Sequence, residues 1–209
     1  DAPSAREILE GIADELGREF SVVPRIVSGS VDPYRLVGLV REARPKAIVV
    51  MNNPVLRAFR KYRALAPPSQ RGIPAVATLT SFLRETSVGL DNFTGVIYEV
   101  PLVTSLTNLR ALVDQPIERV GVLYRPLFAD FLEEQRALIR AEGFELIGLE
   151  VEEATPWAIE RGLARLRAEQ DVDALWIMND NVLLARDLLV DGWIPALRGN
   201  DVPVVVNVR

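Results

Sequence analysis

Residues 119–128, RVGVLYRPLF, lead from an apolar run into the start of a helix. The branched residues of the first half favour a buried strand over residues 119–124. Pro126 suits the beginning of the helix that we predict over residues 128–141. Because a buried strand that leads directly into a helix is the repeating unit of parallel α/β folds, this stretch indicates the fold class.

The residues on both sides repeat the alternation of strand and helix. Helical spacing of apolar residues and helix-starting prolines predict helices that begin near residues 5, 32, 53, 101, 128, 155 and 182. The predicted strands are residues 20–27, 47–51, 74–78, 94–98, 119–124, 145–151, 174–178 and 202–206. Several of them are continuous runs of Val, Ile and Leu, which predict parallel sheets covered by helices on both faces.

The pattern restarts after Gln115-Pro116, so we predict two lobes of similar construction. Residues 1–99 form the N-terminal α/β lobe in this interpretation. Residues 100–117 form a hinge helix and crossover, and residues 118–209 form the C-terminal α/β lobe. Open parallel sheets bind ligands outside the carboxyl ends of their strands, so those ends are where functional residues are expected.

Composition argues against several classes of function. The chain of 209 residues has a formal net charge of −5, without the basic excess that binding to nucleic acid requires. It contains no Cys and no His, which removes thiolate chemistry, disulfides and the most common general base and metal ligand. No glycine-rich nucleotide motif and no nucleophile elbow is present, so we predict no cofactor, no metal and no enzymatic activity.

Three segments resemble the substrate-binding proteins of ABC transporters, in particular those of the aromatic-amino-acid type. They are NFTGVIY at residues 92–98, RVGVLYRP at residues 119–126 and DALWIMNDN at residues 173–181. The resemblance implies a type I periplasmic-binding-protein fold of two Rossmann-like lobes with parallel sheets. It also implies a small-molecule ligand in the cleft between the lobes and membrane permease subunits as partners.

The chain departs from that family at both ends. Family members begin with a strand before the helix that matches residues 5–16, and they continue beyond the strand that matches residues 202–206. We therefore expect the first strand of lobe 1 and the C-terminal part of lobe 2 to be absent from this chain. An absent strand would leave a sheet edge exposed, and a homodimer through that edge is a possible consequence.

Candidate ligand contacts in the first lobe follow its predicted strands. After residues 47–51, Asn53 is favoured as the helix cap, whereas Asn52 is as well suited to contacting a ligand as to a local role. Hydroxyl groups that could receive a ligand carboxylate follow the next strand, with turn formation as the alternative, and an aromatic residue ends the third. These further candidates are Thr78, Thr80 and Tyr98.

In the second lobe the candidates again lie where strands end. Tyr124 offers an aromatic wall, and Arg125 offers a guanidinium that can grip a carboxylate or simply face solvent. Asp180, with Asn179 beside it, could pair with a ligand ammonium, cap the next helix, or do both. Asn207 follows the last predicted strand and completes the set.

We therefore expect the solute-binding component of an ABC importer, with an aromatic or branched amino acid as the leading ligand. Such a component would be periplasmic, or anchored outside the cytoplasmic membrane by a signal or lipid that these residues do not contain. Two alternatives stay open at this point. They are the effector-sensing domain of a regulator, for which no DNA-binding segment is recognisable, and a small α/β enzyme.

Overall fold

The computed structural model describes residues 3–27, 31–97, 99–199 and 201–206. The chain divides into two compact units, Asp1–Tyr98 and Glu99–Arg209. Each unit contains a parallel sheet with helices between successive strands. The hinge helix predicted over residues 100–117 falls within the second unit.

The first unit is built on three parallel strands in the order β1-β2-β3. Ile48 pairs with Ala75, which pairs with Phe93, so the strands begin at a common edge. The elements in chain order are α1 (Pro3–Leu16), α2 (Pro33–Ala43), β1 (Ile48–Met51), α3 (Asn53–Leu65), α4 (Pro68–Arg71), β2 (Ala75–Thr78), α5 (Leu83–Thr86) and β3 (Phe93–Gly95).

One face of this sheet forms the core of the first unit. Val50 and Ala77 point into it, where they pack with apolar side chains of α3, including Leu56 and Tyr62. Val76, on the opposite face of β2, is 36% exposed. The alternation of buried and exposed residues along the strands places the core on the α3 side.

The strand predicted over residues 20–27 is not formed. No strand is assigned within these residues, and Ile26 is 93% exposed. Apolar alternation alone does not make a strand, because its backbone N–H and C=O groups need a neighbouring strand to bond with. The predicted homodimer through a sheet edge stays a prediction.

The second unit contains four parallel strands in the order β5-β4-β6-β7. A 3-10 turn, Pro126–Phe128, leads from β4 into the following helix. The elements in chain order are α6 (Leu102–Leu112), β4 (Arg119–Tyr124), α7 (Ala129–Arg140), β5 (Glu145–Glu150), α8 (Pro156–Ala168), β6 (Ala174–Ile177), α9 (Arg186–Leu188), α10 (Ile194–Leu197) and β7 (Val204–Val206).

One core cluster of the second unit lies between α8 and the sheet. Leu163 and Leu166 of α8 are almost completely buried and pack in one cluster with Leu123 of β4 and Leu175 of β6. At the amino edge, the Asp173 carboxylate accepts hydrogen bonds from the backbone N–H groups of Glu118 and Arg119, at 2.9 and 2.7 Å. This contact fixes the beginning of β4 beside β6.

The helix predicted over residues 182–197 is interrupted. Between α9 and α10 the backbone forms a π-helical turn, Leu189–Trp193. A Cβ atom on Gly192 would lie 3.1 Å from the Cα atom of Pro156, so the glycine lets this turn approach α8 closely. The Trp193 indole N–H donates to the Leu183 carbonyl at 2.8 Å and fixes the turn in the core.

The predicted fold class is confirmed: the protein is an α/β protein with parallel sheets. The predicted bounds of β4 are confirmed without change. The predicted helix starts at residues 32 and 155 are also confirmed, since the Asp32 and Thr155 side chains accept hydrogen bonds from the first turns of α2 and α8.

The close packing of Gly121 against α8 yields a double-mutant prediction. A Cβ atom on Gly121 would lie 3.1 Å from Leu166 Cδ2 and 3.2 Å from Leu175 Cδ2, so Gly121→Ala overpacks the core. Leu166→Ala should lower the free energy of unfolding by about 3–5 kcal/mol and remove the contact. In urea titrations, the change in the free energy of unfolding caused by Gly121→Ala should therefore be more favourable by at least ~1 kcal/mol in the Leu166→Ala background than in the wild type.

Leu112→Ala is the control background for this cycle, because Leu112 is 84% exposed. There the effect of Gly121→Ala should equal its effect in the wild type. Additivity in the Leu166→Ala background as well would contradict the packing of β4 against α8 described above.

Candidate functional site

An ion pair lies at the carboxyl edge of the second unit's sheet. Arg125 directly follows β4 and Asp180 comes three residues after β6, and these two strands are neighbours in the sheet. The guanidinium binds the carboxylate through two contacts, Nε to Oδ2 at 2.6 Å and Nη2 to Oδ1 at 2.9 Å. This bidentate geometry is the strongest arrangement that an arginine and a carboxylate form.

Both oxygens of the Asp180 carboxylate are used. The backbone N–H of Val182 also donates to Oδ1, at 2.9 Å, so Asp180 caps the turn that follows β6. The Asp180 side chain is only 4% exposed, whereas that of Arg125 is 24% exposed and lies 5.3 Å from the centre of the Phe128 ring. Asp180 is therefore a buried charge whose compensation comes from Arg125.

The structure adds to the roles predicted for these two residues. Arg125 was predicted to meet a ligand carboxylate or solvent, and Asp180 a ligand ammonium or the next helix. Here the two charges bind each other, and Asp180 also caps the turn. A charged ligand at this edge would have to bind over the pair or separate it.

The remaining candidates of the second lobe are Tyr124, Asn179 and Asn207. Tyr124, the last residue of β4, is half-buried. Its ring crosses to the neighbouring strand, where a Cβ atom on Gly148 would lie 2.9 Å from Tyr124 Cε1. Asn179 precedes Asp180 and is half-buried too. Asn207 lies outside the described residues.

In the first unit, the prediction that Asn53 caps α3 is wrong. Asn52 caps α3, because its side-chain oxygen accepts a hydrogen bond from the Val55 backbone N–H at 3.0 Å. Asn53, predicted as the cap, is buried and forms two hydrogen bonds with the backbone of Ser81. Its amide donates to the Ser81 carbonyl at 3.0 Å and accepts from the Ser81 N–H at 2.7 Å.

The two threonines lie at the end of β2, next to this contact. Thr78 is half-buried, and its carbonyl accepts a hydrogen bond from the Asn52 backbone N–H at 3.0 Å. Thr80 is fully buried, and its hydroxyl donates to the same carbonyl at 3.3 Å. Thr78 is therefore the more accessible of the two, whereas the Thr80 hydroxyl forms a structural hydrogen bond. Tyr98 lies outside the described residues.

The carboxyl edge of the first unit has an unusual backbone. Asn52 has φ 74° and ψ 161°, a region that is nearly restricted to glycine. Leu79 and Phe82, in the segment after β2, have φ values of 55° and 52°. Non-glycine residues rarely adopt such conformations, and strained backbone of this kind is concentrated at functional sites. Sequence reasoning did not identify Leu79, Ser81 or Phe82.

A surface cavity of about 340 Å³ lies at the carboxyl end of β5, beside the start of α8. Glu150, Glu153 and Trp157 line it, but Arg125 and Asp180 do not. Among the described residues, no group of three or more side chains is suited to holding a metal ion. Within the same part of the chain, no helix is long and apolar enough to cross a membrane.

No protein-family model matches the sequence, and no curated protein matches it significantly. Solved structures are similar to the fold. One is the ABC domain from Streptococcus pneumonia in complex with L-Trp, with a TM-score of 0.61 and 16% identity; the alignment covers 99% of this chain and 70% of that one. A ligand-free, open substrate binding protein with adhesive properties from Clostridium difficile has a TM-score of 0.60, 14% identity and the same coverages.

A third similar structure is a fatty acid ABC transporter substrate-binding protein from Thermomonospora curvata. Its TM-score is 0.56 at 16% identity, over 96% of this chain and 51% of that one. At these identities the similarity establishes the fold, and the fold is that of type I periplasmic binding proteins. It does not establish the ligand.

Substitutions of Asn52 and Asn53 should have opposite effects on stability. Asn52→Gly should raise the free energy of unfolding by about 1 kcal/mol, because relief of an unfavourable φ exceeds the loss of the cap. Asn53→Ala should lower it by about 1–3 kcal/mol, because the Ser81 N–H and carbonyl lose their partner. Urea unfolding midpoints measure both changes. A destabilised Asn52→Gly together with an unaffected Asn53→Ala would contradict both the strain assigned to Asn52 and the buried contact assigned to Asn53.

Proposed function

We propose that this protein is the solute-binding component of an ABC importer and that it closes on a small molecule between its two units. The leading ligand is an aromatic or branched amino acid. The observation that carries the proposal is the buried, bidentate Arg125–Asp180 pair at the carboxyl edge of a parallel sheet. Parallel α/β sheets bind ligands at that edge.

The pair suits an amino acid because it contains one positive and one negative group. Arg125 complements the ligand carboxylate, and Asp180 complements the ligand ammonium. A ligand carboxylate can share the exposed side of the Arg125 guanidinium, which keeps N–H groups beyond the two that bind Asp180. A ligand ammonium can approach the Asp180 carboxylate once that contact is partly opened. Tyr124 at the end of β4 supplies an aromatic surface for an apolar side chain.

Closure requires that the ligand contact both units, since a ligand that touches one unit equally well in the open and closed states shifts no equilibrium. On the first unit we assign the contacts to Asn52 and Thr78, at the carboxyl edge of β1 and β2. On the second we assign them to Tyr124, Arg125 and Asp180. The closed form would be presented to permease subunits outside the cytoplasm.

The similar structures support a small-molecule ligand, but they do not all bind the same kind of compound. The first is described in complex with L-Trp, and the third as a fatty acid binding protein. A fatty acid has a carboxylate but no ammonium, so it would use Arg125 and leave Asp180 without a new partner. The Arg125–Asp180 pair therefore favours an amino acid over a simple carboxylic acid.

Three matched compounds test this preference by thermal shift. L-Tryptophan carries both charges, indole-3-propionate lacks the ammonium and tryptamine lacks the carboxylate. A compound that binds only the native state stabilises it by about 2.7 kcal/mol at 100 times its Kd. We expect a saturable rise in Tm with L-tryptophan or, in its place, with L-leucine or L-isoleucine. The singly charged analogues should bind at least tenfold more weakly.

Asp180→Asn should abolish the shift, because the amide keeps the size of the side chain but not its charge. Without ligand, this variant should unfold about 2–4 kcal/mol more easily, since Arg125 loses its partner but retains some access to water. Asp187→Asn, an exposed aspartate of α9, is the matched control and should bind like the wild type. Equal binding of L-tryptophan and indole-3-propionate, or an unchanged shift in Asp180→Asn, would contradict the proposal.

A further inference from the structure

A cavity in the first unit lies at the sheet edge opposite to the one discussed above. It has a volume of about 420 Å³, within the range of small-molecule sites, and three arginines line it together with residues 88–91. Residues 88–91 precede β3, and Arg71 precedes β2, so the cavity lies at the amino ends of these strands. Asn52 and Thr78 follow β1 and β2 at the carboxyl ends, roughly 13 Å away along a four-residue strand.

Each of the three arginines has unused hydrogen-bonding capacity. Arg60 donates to the Thr86 and Val88 carbonyls at 3.0 and 3.2 Å, which uses two of its five N–H groups. Arg63 donates to the Gln70 carbonyl at 3.4 Å and to the Ile73 carbonyl. These bonds hold the side chains in place, but each guanidinium retains three other N–H groups.

Two of the donors are weakly engaged. Arg71 Nε donates to the Ala66 carbonyl at 2.7 Å, but Arg71 Nη2 is 3.5 Å from the Ala64 carbonyl and Arg63 Nη1 is 3.4 Å from that of Gln70; the last two distances exceed the normal range of 2.7–3.2 Å. Arg63 is 92% buried, being 8% exposed, and its Nε has no hydrogen-bond partner. A buried guanidinium with an unpaired N–H is costly unless a partner compensates it.

The residues that line the cavity carry more positive than negative charge. Among the described residues, none of the three arginines forms an ion pair with a carboxylate. Asp91 also lines the cavity and is the one carboxylate among the lining residues. The lining thus has a formal charge of +2 in a chain whose net charge is −5.

Burial lowers the pKa of the Arg63 guanidinium, and electrostatic interaction with Tyr62 and Asp91 offsets part of this effect. A bound anion would favour the charged guanidinium further. Gly89, with φ 82°, borders the cavity, and a Cβ atom there would meet nothing within 4 Å. The space beside Gly89 is therefore open.

We propose that this cavity is a second ligand site, separate from the carboxyl edge, and that it binds a phosphate group. Arginine is the side chain best suited to oxyanions, because its planar fork donates two parallel hydrogen bonds to a phosphate. The volume is sufficient for an organic phosphate as well as for inorganic phosphate. Carbonyl contacts, together with the Phe59 ring 4.9 Å from the Arg63 guanidinium, hold the arginines in place, but the residues that line the cavity offer one carboxylate for three arginines.

Isothermal titration calorimetry with inorganic phosphate and glycerol 3-phosphate, at constant ionic strength, tests the site. We expect saturable binding of at least one of them to the wild type. Arg60→Gln and Arg71→Gln should weaken that binding at least tenfold. Arg57→Gln, an exposed arginine on the same helix as Arg60 but outside the cavity, should leave it unchanged.

Asp91→Asn gives a test that does not depend on removing an arginine. Loss of the one carboxylate should tighten phosphate binding by about threefold to tenfold, an effect that a misfolded variant cannot produce. Binding of both compounds identifies the phosphate group as the recognised feature, and binding of the ester alone identifies an organic phosphate. No saturable binding to the wild type, equal weakening by Arg57→Gln and Arg60→Gln, or no tightening in Asp91→Asn would overturn the proposal.

Discussion

Parallel pairing of the strands is the constraint on which both units depend. Every strand of a parallel sheet ends at the same edge, and every connection must return the chain to the opposite edge. Residues far apart in sequence, such as Arg125 and Asp180, are therefore brought together where their strands end. The same constraint puts the helix starts, with their free N–H groups, at the carboxyl edge, where Asn52 and Asp180 cap the segments that follow β1 and β6.

The Arg125–Asp180 pair places two opposite charges at this edge in a stable arrangement. A buried carboxylate without a partner would be strongly unfavourable, so the protein needs compensation for Asp180 when no ligand is present. Arg125 provides it while remaining partly exposed. In the proposed complex, an amino acid that replaces or extends this contact would exchange one charged hydrogen bond for another, and the net gain would come from contacts to the first unit and from apolar burial.

Local sequence signals predicted much of the fold but little of the site's detail. The bounds of β4 and the Asp32 and Thr155 caps follow from short-range patterns, and the structure agrees with them. The choice of Asn52 rather than Asn53 as the cap could not be predicted, because both have the same propensity and the buried contact with Ser81 decides between them. Likewise, residues 20–27 alternate like a strand, but no strand of the described residues pairs with them.

The contact between Arg125 and Asp180 was beyond sequence reasoning for a different reason. Each was predicted as a candidate, but their separation of 55 residues makes contact depend on β4 and β6 being neighbours in the order β5-β4-β6-β7. Strand order is a property of the whole unit. The side chains at strand ends were therefore predictable as a class, whereas their pairing was not.

The central claim is that one ligand contacts the carboxyl edges of both units. Amide chemical-shift perturbation on adding L-tryptophan, or whichever amino acid raises Tm, measures this most directly. The account predicts saturable shifts with a common Kd at Asn52 and Thr78 in the first unit and at Arg125 and Asp180 in the second. Shifts confined to one unit, or centred on residues 88–91 at the opposite edge, would contradict it.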